Sequence, residues 1–407
     1  MTVPARAQLA HIGRALRHRN YRLFFAGQGI SVIGTWLTRF AIGHEAFVLS
    51  ASAFQLGLVG FFSQAPTAAI APFAGVLVDR WNRHRTLVVT QVLAMLQSAG
   101  LAYFAFAGTM TVWHLVALGV VQAAINAFDM PARQSFVRQM VDDPADLPNA
   151  IALNSGIVNG ARIVGPMLAT TLVALAGFGA CYGVDAVSYL AVIASLLAMR
   201  VTPPPPRPRH GRVRDDLRDG IRHVGGMPLV RALLILLALT STFGGAYLTL
   251  LPAVAEGAYG GGAVELGAMM GAAGVGALVG ILYLSARRDI HGLDRFVAHA
   301  ALGLGVALIG LEVAPNAWLA LPSMALAVGS LIALWTATNT LVQTLVDDDK
   351  LGRVMSLMLM AFFAGQPLGA LAEGALATVI GPIHTYALAG AGCIAASLVY
   401  RRSLARS

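Results

Sequence analysis

The 407-residue chain is 57% hydrophobic and 12% charged, with a mean hydropathy of +0.71. A water-soluble domain carries roughly 25% charged residues, so a soluble globular protein is excluded. The net charge of +9 is spread over many connections rather than gathered on one face, which argues against nucleic acid as a partner and for a lipid bilayer with anionic headgroups.

Apolar runs of about 20 residues recur along the sequence, the length that crosses a hydrocarbon core of ~30 Å. Inside lipid each backbone group must pair within its own segment, so these runs are predicted as helices. Twelve are found, over about 23–48, 54–78, 86–107, 113–133, 149–174, 179–199, 232–254, 264–286, 296–313, 317–341, 354–379 and 384–400. The first is too long and polar for a cleaved signal segment and stays as the first span.

Cytoplasmic connections are enriched in Lys and Arg, and all 28 such residues can be placed. Arg6 to Arg22 lie in the N-terminal arm, Arg80, Arg83 and Arg85 in the second connection, and Arg133 and Arg138 in the fourth. The central connection runs from Arg200 to Arg231. Arg287, Arg288, Arg295, Lys350 and Arg353 fill later connections, and Arg401, Arg402 and Arg406 the tail. Only Arg39 and Arg162 fall inside spans, and none falls in an odd-numbered connection. The prediction is a multi-pass protein of the cell (inner) membrane with both termini cytoplasmic.

The longest connection divides the chain into an N-terminal six-helix bundle (1–200), a cytoplasmic central loop (201–230) and a C-terminal six-helix bundle (231–407). It opens with Pro203–Pro206, which cannot continue a helix. Leu217, Ile221 and Val224 follow at helical spacing among charges, which predicts an amphipathic helix at the inner surface. The halves echo each other. The end of the second span, from Gly75, matches the end of the eighth, from Gly280, and the stretch from Phe136 matches that from Leu341 at the same offset. Parallel duplication of six-helix halves is a transporter architecture.

Several spans carry polar residues at steps of three and four, which places them on one helix face. They are Gln28, Ser31, Thr35 and Arg39 in the first; Gln122, Asn126, Asp129 and Arg133 in the fourth; Ser155, Asn159 and Arg162 in the fifth; and Ser241, Gly245 and Thr249 in the seventh. Such a stripe faces either a water-filled cavity or another helix. Trp36 and Tyr247 add aromatic surface. Charges within spans are costly and point to function. Arg39 and Asp185 lie at similar depth and are predicted as a buried pair. Glu373 has no partner in its own helix and is the candidate proton carrier, the alternative being a carboxylate that reaches outer water. His44 and Glu45, at the outer end of the first span, read as interfacial.

The segment containing Gly75, Asp79, Arg80, Arg83 and Arg85 resembles the signature of the major facilitator superfamily between its second and third helices. Arg19 to Phe25, Ile30 to Trp36, Phe128 to Gln134, Asn149 to Asn154 and Ala161 to Pro166 extend the resemblance to the bacterial efflux branch that holds enterobactin-type siderophore exporters and macrolide efflux proteins. It implies an all-α membrane protein, twelve transmembrane helices in two pseudo-symmetric six-helix bundles, exporting a small organic molecule by alternating access in exchange for protons. It also implies a gating motif of Gly75, Asp79, Arg80, Arg83, Asp129 and Arg133, in which Asp79 meets the eleventh helix and Arg83 pairs with Asp129. Helices one, four, seven and ten would surround the cavity, so that Gln28, Thr35, Arg39, Gln122, Asn126, Arg162, Asp185, Tyr247 and Glu373 are the candidate substrate and proton pathway. In the fifth helix Gly165 and Pro166 match the antiporter motif, while Ala169 and Thr170 replace its closing glycines. In the fourth, Gly119 stands where many drug/proton antiporters carry an Arg.

Other chemistry finds little support. Cys181 and Cys393 lie within spans, with no disulfide or metal pattern, and no cofactor is implied. The single lysine, Lys350, is followed by Leu351, so no phosphate-binding loop is present. No clustered nucleophile and base suggests an enzyme. A lysophospholipid transporter or importer of the same fold stays open, as does a non-transporting membrane receptor or scaffold. Oligomeric state has no signature here.

Overall fold

The computed structural model describes residues 13–200, 219, 221–287 and 291–404, and no strand occurs among them. The first span is α1 (Arg19–Ser50). The second, α2, is broken into Ala53–Phe62 and Ala65–Arg80. Then come α3 (Arg83–Phe106) and α4 (Val112–Met140). Residues Leu147–Leu197 form one helical stretch interrupted at Gly177, whose φ of 74° and ψ of 179° are non-helical. We name its arms α5 (147–176) and α6 (178–197). The arms fold back on each other: Cys181 Sγ lies 3.9 Å from the Ala169 carbonyl oxygen, where twelve residues of straight helix would span about 18 Å.

The seventh span, α7, is pieced together from Pro228–Gly244, Tyr247–Pro252 and a π-helical turn, Ala253–Ala258. It is followed by α8 (Ala263–Ala286), α9 (Leu293–Val313), α10 (Ala317–Leu345), α11 (Asp348–Ile380) and α12 (Pro382–Leu404). Side-chain caps mark several starts: Ser52 accepts from Gln55 N, Asn82 from Arg85 N and Asn316 from Leu319 N. Each satisfies an amide that has no partner within its helix.

Nine stretches among the described residues are long and apolar enough to cross a membrane. The hairpin of α5 and α6 counts once in that number. Outside it are α1, diluted by its polar stripe and by His44 and Glu45, and α2, broken after Phe62. Restoring these gives the twelve predicted spans. Of the central loop, 221–225 are helical, with Val224 buried and Ile221 exposed. Asp219 lies 3.6 Å from Arg353. Residues 201–218 and 220, Pro203–Pro206 and Leu217 among them, lie outside the described residues.

The chain forms two compact units. The described residues of the first fall within Met1–Ile42, Ala69–Met110 and Ala117–Arg209; those of the second fall within Gly43–Ala68, Thr111–Val116 and His210–Ser407. In the first, Tyr21, Phe24, Leu87, Phe136, Met140 and Leu196 make a buried cluster. In the second, α8 and α10 cross backbone against backbone. A Cβ on Gly276 would lie 1.9 Å from the Ala325 carbonyl oxygen, and one on Gly280 would lie 2.6 Å from that of Gly329. The glycines of the eighth span thus serve close helix packing, as small residues do in lipid.

Candidate functional site

In the first unit, Asp129 is the hub beside the predicted gating loop. Its Oδ2 accepts from Arg133 Nε at 3.0 Å, and its Oδ1 accepts from Thr90 Oγ1 and Gln91 Nε2, each at 2.8 Å. The expected Arg83–Asp129 pair is therefore replaced. Arg133 is one helical turn along α4 on the same face, so it reaches the carboxylate without leaving its own helix. Gly75, Asp79 and Arg80 belong to the second piece of α2, with side chains outside the described residues.

Asp185, on α6, is buried. Its Oδ2 accepts from Thr38 Oγ1 at 3.0 Å and Ser98 Oγ at 2.8 Å, while Oδ1 is buried without a hydrogen bond. The expected Arg39–Asp185 pair is not formed. Depth along α1 matched, but azimuth did not: adjacent residues on a helix project about 100° apart. Thr38 takes the carboxylate, and Arg39 turns toward Trp36.

The Trp36 indole is approached by two guanidiniums. Arg39 Cζ is 5.1 Å and Arg162 Cζ 5.2 Å from the ring centroid. The meeting is set by Gly165, where a Cβ would fall 2.4 Å from Trp36 Cβ. Only a glycine lets α5 come this close to α1, and Pro166 follows it in the contact. Arg162 sits one turn before Gly165 and is thereby carried onto the indole.

The remaining polar positions of this unit bind locally. Gln122 Nε2 donates to Asn126 Oδ1 at 3.0 Å, and Thr35 Oγ1 to the Ser31 carbonyl at 3.2 Å. Gln28 is buried, and its Oε1 lacks a hydrogen bond, as does Gln122 Oε1.

In the second unit Glu373 is buried at 6% exposure, and neither carboxylate oxygen has a hydrogen-bond partner. Tyr386 and Cys393 of α12 lie near it. Tyr386 O–H donates to the backbone carbonyl of Tyr247, so Tyr247 enters the site through its main chain. The next residue along α11, Gly374, abuts Gly57 of α2: a Cβ on Gly57 would lie 3.0 Å from Gly374 Cα and 2.7 Å from the Ala370 carbonyl oxygen. One turn on, a Cβ on Gly60 would meet the Thr249 side chain at 2.7 Å.

His44 and Glu45, at the outer end of the first span, are both buried. His44 Nε2 lies 2.7 Å from Glu256 Oε1 in the π-helical turn of α7. That carboxylate was missed in the sequence, where Gly257 and the glycines from Gly260 make the segment look like a loop.

A further cluster escaped the sequence reading. His18, just before α1, places its ring nitrogens 3.2 Å from Asp142 Oδ2 and 3.1 Å from Asp146 Oδ2. Ala15 N donates to Asn149 Oδ1, and Tyr21 O–H to the Ala150 carbonyl. These bonds tie the segment preceding α1, and the first turn of α1, to the connection between α4 and α5 and to the start of α5.

Comparison with known proteins agrees with this architecture. The family model described as transmembrane secretion effector matches residues 14–406. The chain is similar to the staphyloferrin A transporter of Staphylococcus aureus, with 24% identity over 394 residues, 93% of this chain and 95% of the relative. It is also similar to the enterobactin exporter of Citrobacter koseri, with 25% identity over 386 residues, 94% and 91% of the two chains. Among solved structures, a POT family transporter in complex with 5-aminolevulinic acid matches with a TM-score of 0.77 at 11% identity, covering 94% of this chain and 95% of that one. A bacterial homologue of the human lysosomal transporter Spinster matches with a TM-score of 0.68 at 16% identity, covering 95% and 96%. At these identities the structural likeness is one of fold. The chain belongs to the transmembrane secretion effector family of the major facilitator superfamily and is a multi-pass membrane transporter, not an enzyme.

Proposed function

We propose that the protein exports a small organic molecule by alternating access, in exchange for protons, across the cell (inner) membrane with both termini cytoplasmic. Orientation is supported by the confinement of Lys and Arg outside the spans to the termini and the even-numbered connections. Export is supported by the similarity to a named enterobactin exporter, and a siderophore-like or drug-like compound is the substrate class it favours.

The observation that carries proton coupling is Glu373. An ionised carboxylate enclosed without a partner is strongly disfavoured relative to the neutral acid. Proton uptake would therefore accompany enclosure of Glu373, and proton loss would accompany its exposure to water. Its neighbour Gly374 forms the close contact with Gly57, so a separation of α2 from α11 would change the surroundings of Glu373 directly. Gating and protonation would thus share one place in the chain. In the gating motif, Asp79 and Arg80 would complete the inner loop, with Asp129 and Arg133 as its anchor on α4.

The test is flux in proteoliposomes of the purified protein under an imposed proton gradient, with siderophores, macrolides and lysolipids as trial substrates. Gradient-driven movement that is lost in Glu373→Gln is the expected result. Movement that ignores the gradient, or that survives unchanged in Glu373→Gln, would discard the coupling scheme.

A further inference from the structure

A cleft between α3 and α4 has no part in proton exchange. Its volume is about 680 Å³, and Trp81, Arg85, Val89, Leu93, Ile125 and Phe128 are among the residues that line it. All of them belong to the first unit. Arg85, Val89 and Leu93 recur at steps of four and so share one face of α3. Val89 is 55% and Leu93 46% exposed, and apolar side chains left this bare inside a span are covered by hydrocarbon rather than water. At 1.5 Å per residue, Val89 lies about 6 Å and Leu93 about 12 Å beyond Arg85 along the helix. The cleft is therefore nearly as deep as one leaflet, half of a ~30 Å core.

Its shallow end is aromatic and basic. The Trp81 ring stacks on Phe128, with centroids 5.9 Å apart and planes 15° from parallel, and tryptophan settles at headgroup level. Thr86 Oγ1 donates to the Asn82 carbonyl at 3.0 Å and Thr90 Oγ1 to Asp129 Oδ1 at 2.8 Å, while Asn82 Oδ1 accepts from Arg85 N at 3.1 Å. The lining side-chain groups left without a partner are all donors: the Arg85 guanidinium, Asn82 Nδ2 and the Trp81 indole N–H. Asp129 does not cancel the charge of Arg85, because Arg133 already pairs with it. The connection sets Arg80, Arg83 and Arg85 against the one carboxylate of Asp79. A cation at headgroup level above an apolar slot matches an amphiphile with an anionic head, and basic pockets between spans take such lipids.

We infer that this cleft binds an anionic phospholipid from the leaflet that the second connection faces. The Arg85 guanidinium holds the phosphate through paired N–H donors, and an acyl chain lies along Val89 and Leu93. The site goes beyond the export scheme and does not depend on it, since it requires only that α3 and α4 cross a bilayer. Thr90 places the bound lipid one side chain away from the Asp129 hub.

The experiment uses the full-length protein with Cys181 and Cys393 replaced and a bimane on Leu93→Cys, reconstituted in phosphatidylcholine. Quenching by brominated phosphatidylglycerol is compared with quenching by brominated phosphatidylcholine. A bimane on Val187→Cys, at a position 65% exposed on α6, supplies the ratio for ordinary boundary lipid. At Leu93 the anionic lipid should be preferred about fivefold over that reference. Arg85→Gln should bring the Leu93 ratio down to the reference, and Arg85→Lys should keep most of the preference. Val89→Trp, which fills the slot and leaves the cation in place, should lower it as well.

Equal ratios at Leu93 and Val187 would mean that the anionic lipid follows the overall positive charge of the protein, which overturns the site. A preference at Leu93 that survives Arg85→Gln overturns it too. So does displacement of both lipids alike by a macrolide or a siderophore, which would give the cleft to the transported compound.

Discussion

Gly57→Ala should loosen the contact of α2 with α11. The added Cβ would lie 2.7 Å from the Ala370 carbonyl oxygen and 3.0 Å from Gly374 Cα, whereas carbon atoms rest at about 3.5–4.0 Å. Both obstacles are backbone, so no side chain can swing aside, and the helices must part by several tenths of an ångström. Overpacking of this kind costs about 1–3 kcal/mol. Alanine also favours helix over glycine by about 1 kcal/mol, but that gain is present wherever α2 is helical and drops out of the difference. The closed contact should therefore lose population by a factor of about 5–150. A single thiol at Thr249→Cys, in a chain with Cys181 and Cys393 replaced, reports on it, because Thr249 packs against Gly60 one turn from Gly57. Its labelling by a membrane-impermeant maleimide should accelerate by that factor. Gly156→Ala, whose Cβ would meet nothing within 4 Å, should leave the rate unchanged. An unaltered rate in a folded Gly57→Ala protein would refute the reasoning.

Asp129→Asn leaves Arg133, a quarter exposed, beside a carboxamide. Breaking a buried pair costs about 3–5 kcal/mol, and the partial exposure places this one at or below the lower bound. A lowered melting temperature, partly recovered in Asp129→Asn/Arg133→Gln, is expected; strict additivity in that double variant would show that the two side chains do not cooperate. Burial disfavours a charge on His18, but hydrogen bonds and charges from Asp146 and Asp142 outweigh it and raise its pKa above 6.5. A raised value means that the His18 contribution is complete below pH ~6.5 and fades as pH climbs through the folded-state pKa. With solvent screening it amounts to no more than about 1 kcal/mol. His18→Gln should flatten that stretch of the stability–pH curve, and a parallel curve merely displaced downward would count against it.

Much of this was legible because lipid constrains sequence so strongly. Span lengths, the placement of arginines and the polar stripe of α1 needed only hydrocarbon thickness and helical period. What failed was partner choice. Arg39 and Asp185 agree in depth, yet a one-residue difference in azimuth gave the carboxylate to Thr38. Arg133 was visible in the same stripe as Asp129 at a spacing of four, and local geometry prevailed over the more distant Arg83. Contacts made by absent side chains were harder still. Gly57 and Gly374 lie more than 300 positions apart, and nothing in either neighbourhood says which glycine will face which. The His18 cluster was hidden for a related reason, since Asp142 and Asp146 look like ordinary solvated residues of a short connection.

The turn at Gly177 bears on how the chain enters its membrane. One residue with a φ of 74° reverses the chain, in a region of backbone space open essentially to glycine alone. Between Arg162 and Arg200 there is no Lys or Arg, so nothing at the tip resists translocation and no loop exists there to fold separately. The two arms are suited to partition into lipid together as a preformed hairpin, their orientation dictated by the basic residues at its open end. Biogenesis of the chain would then run through eleven paired and single insertions rather than twelve independent ones, with Gly177 as the point where two become one.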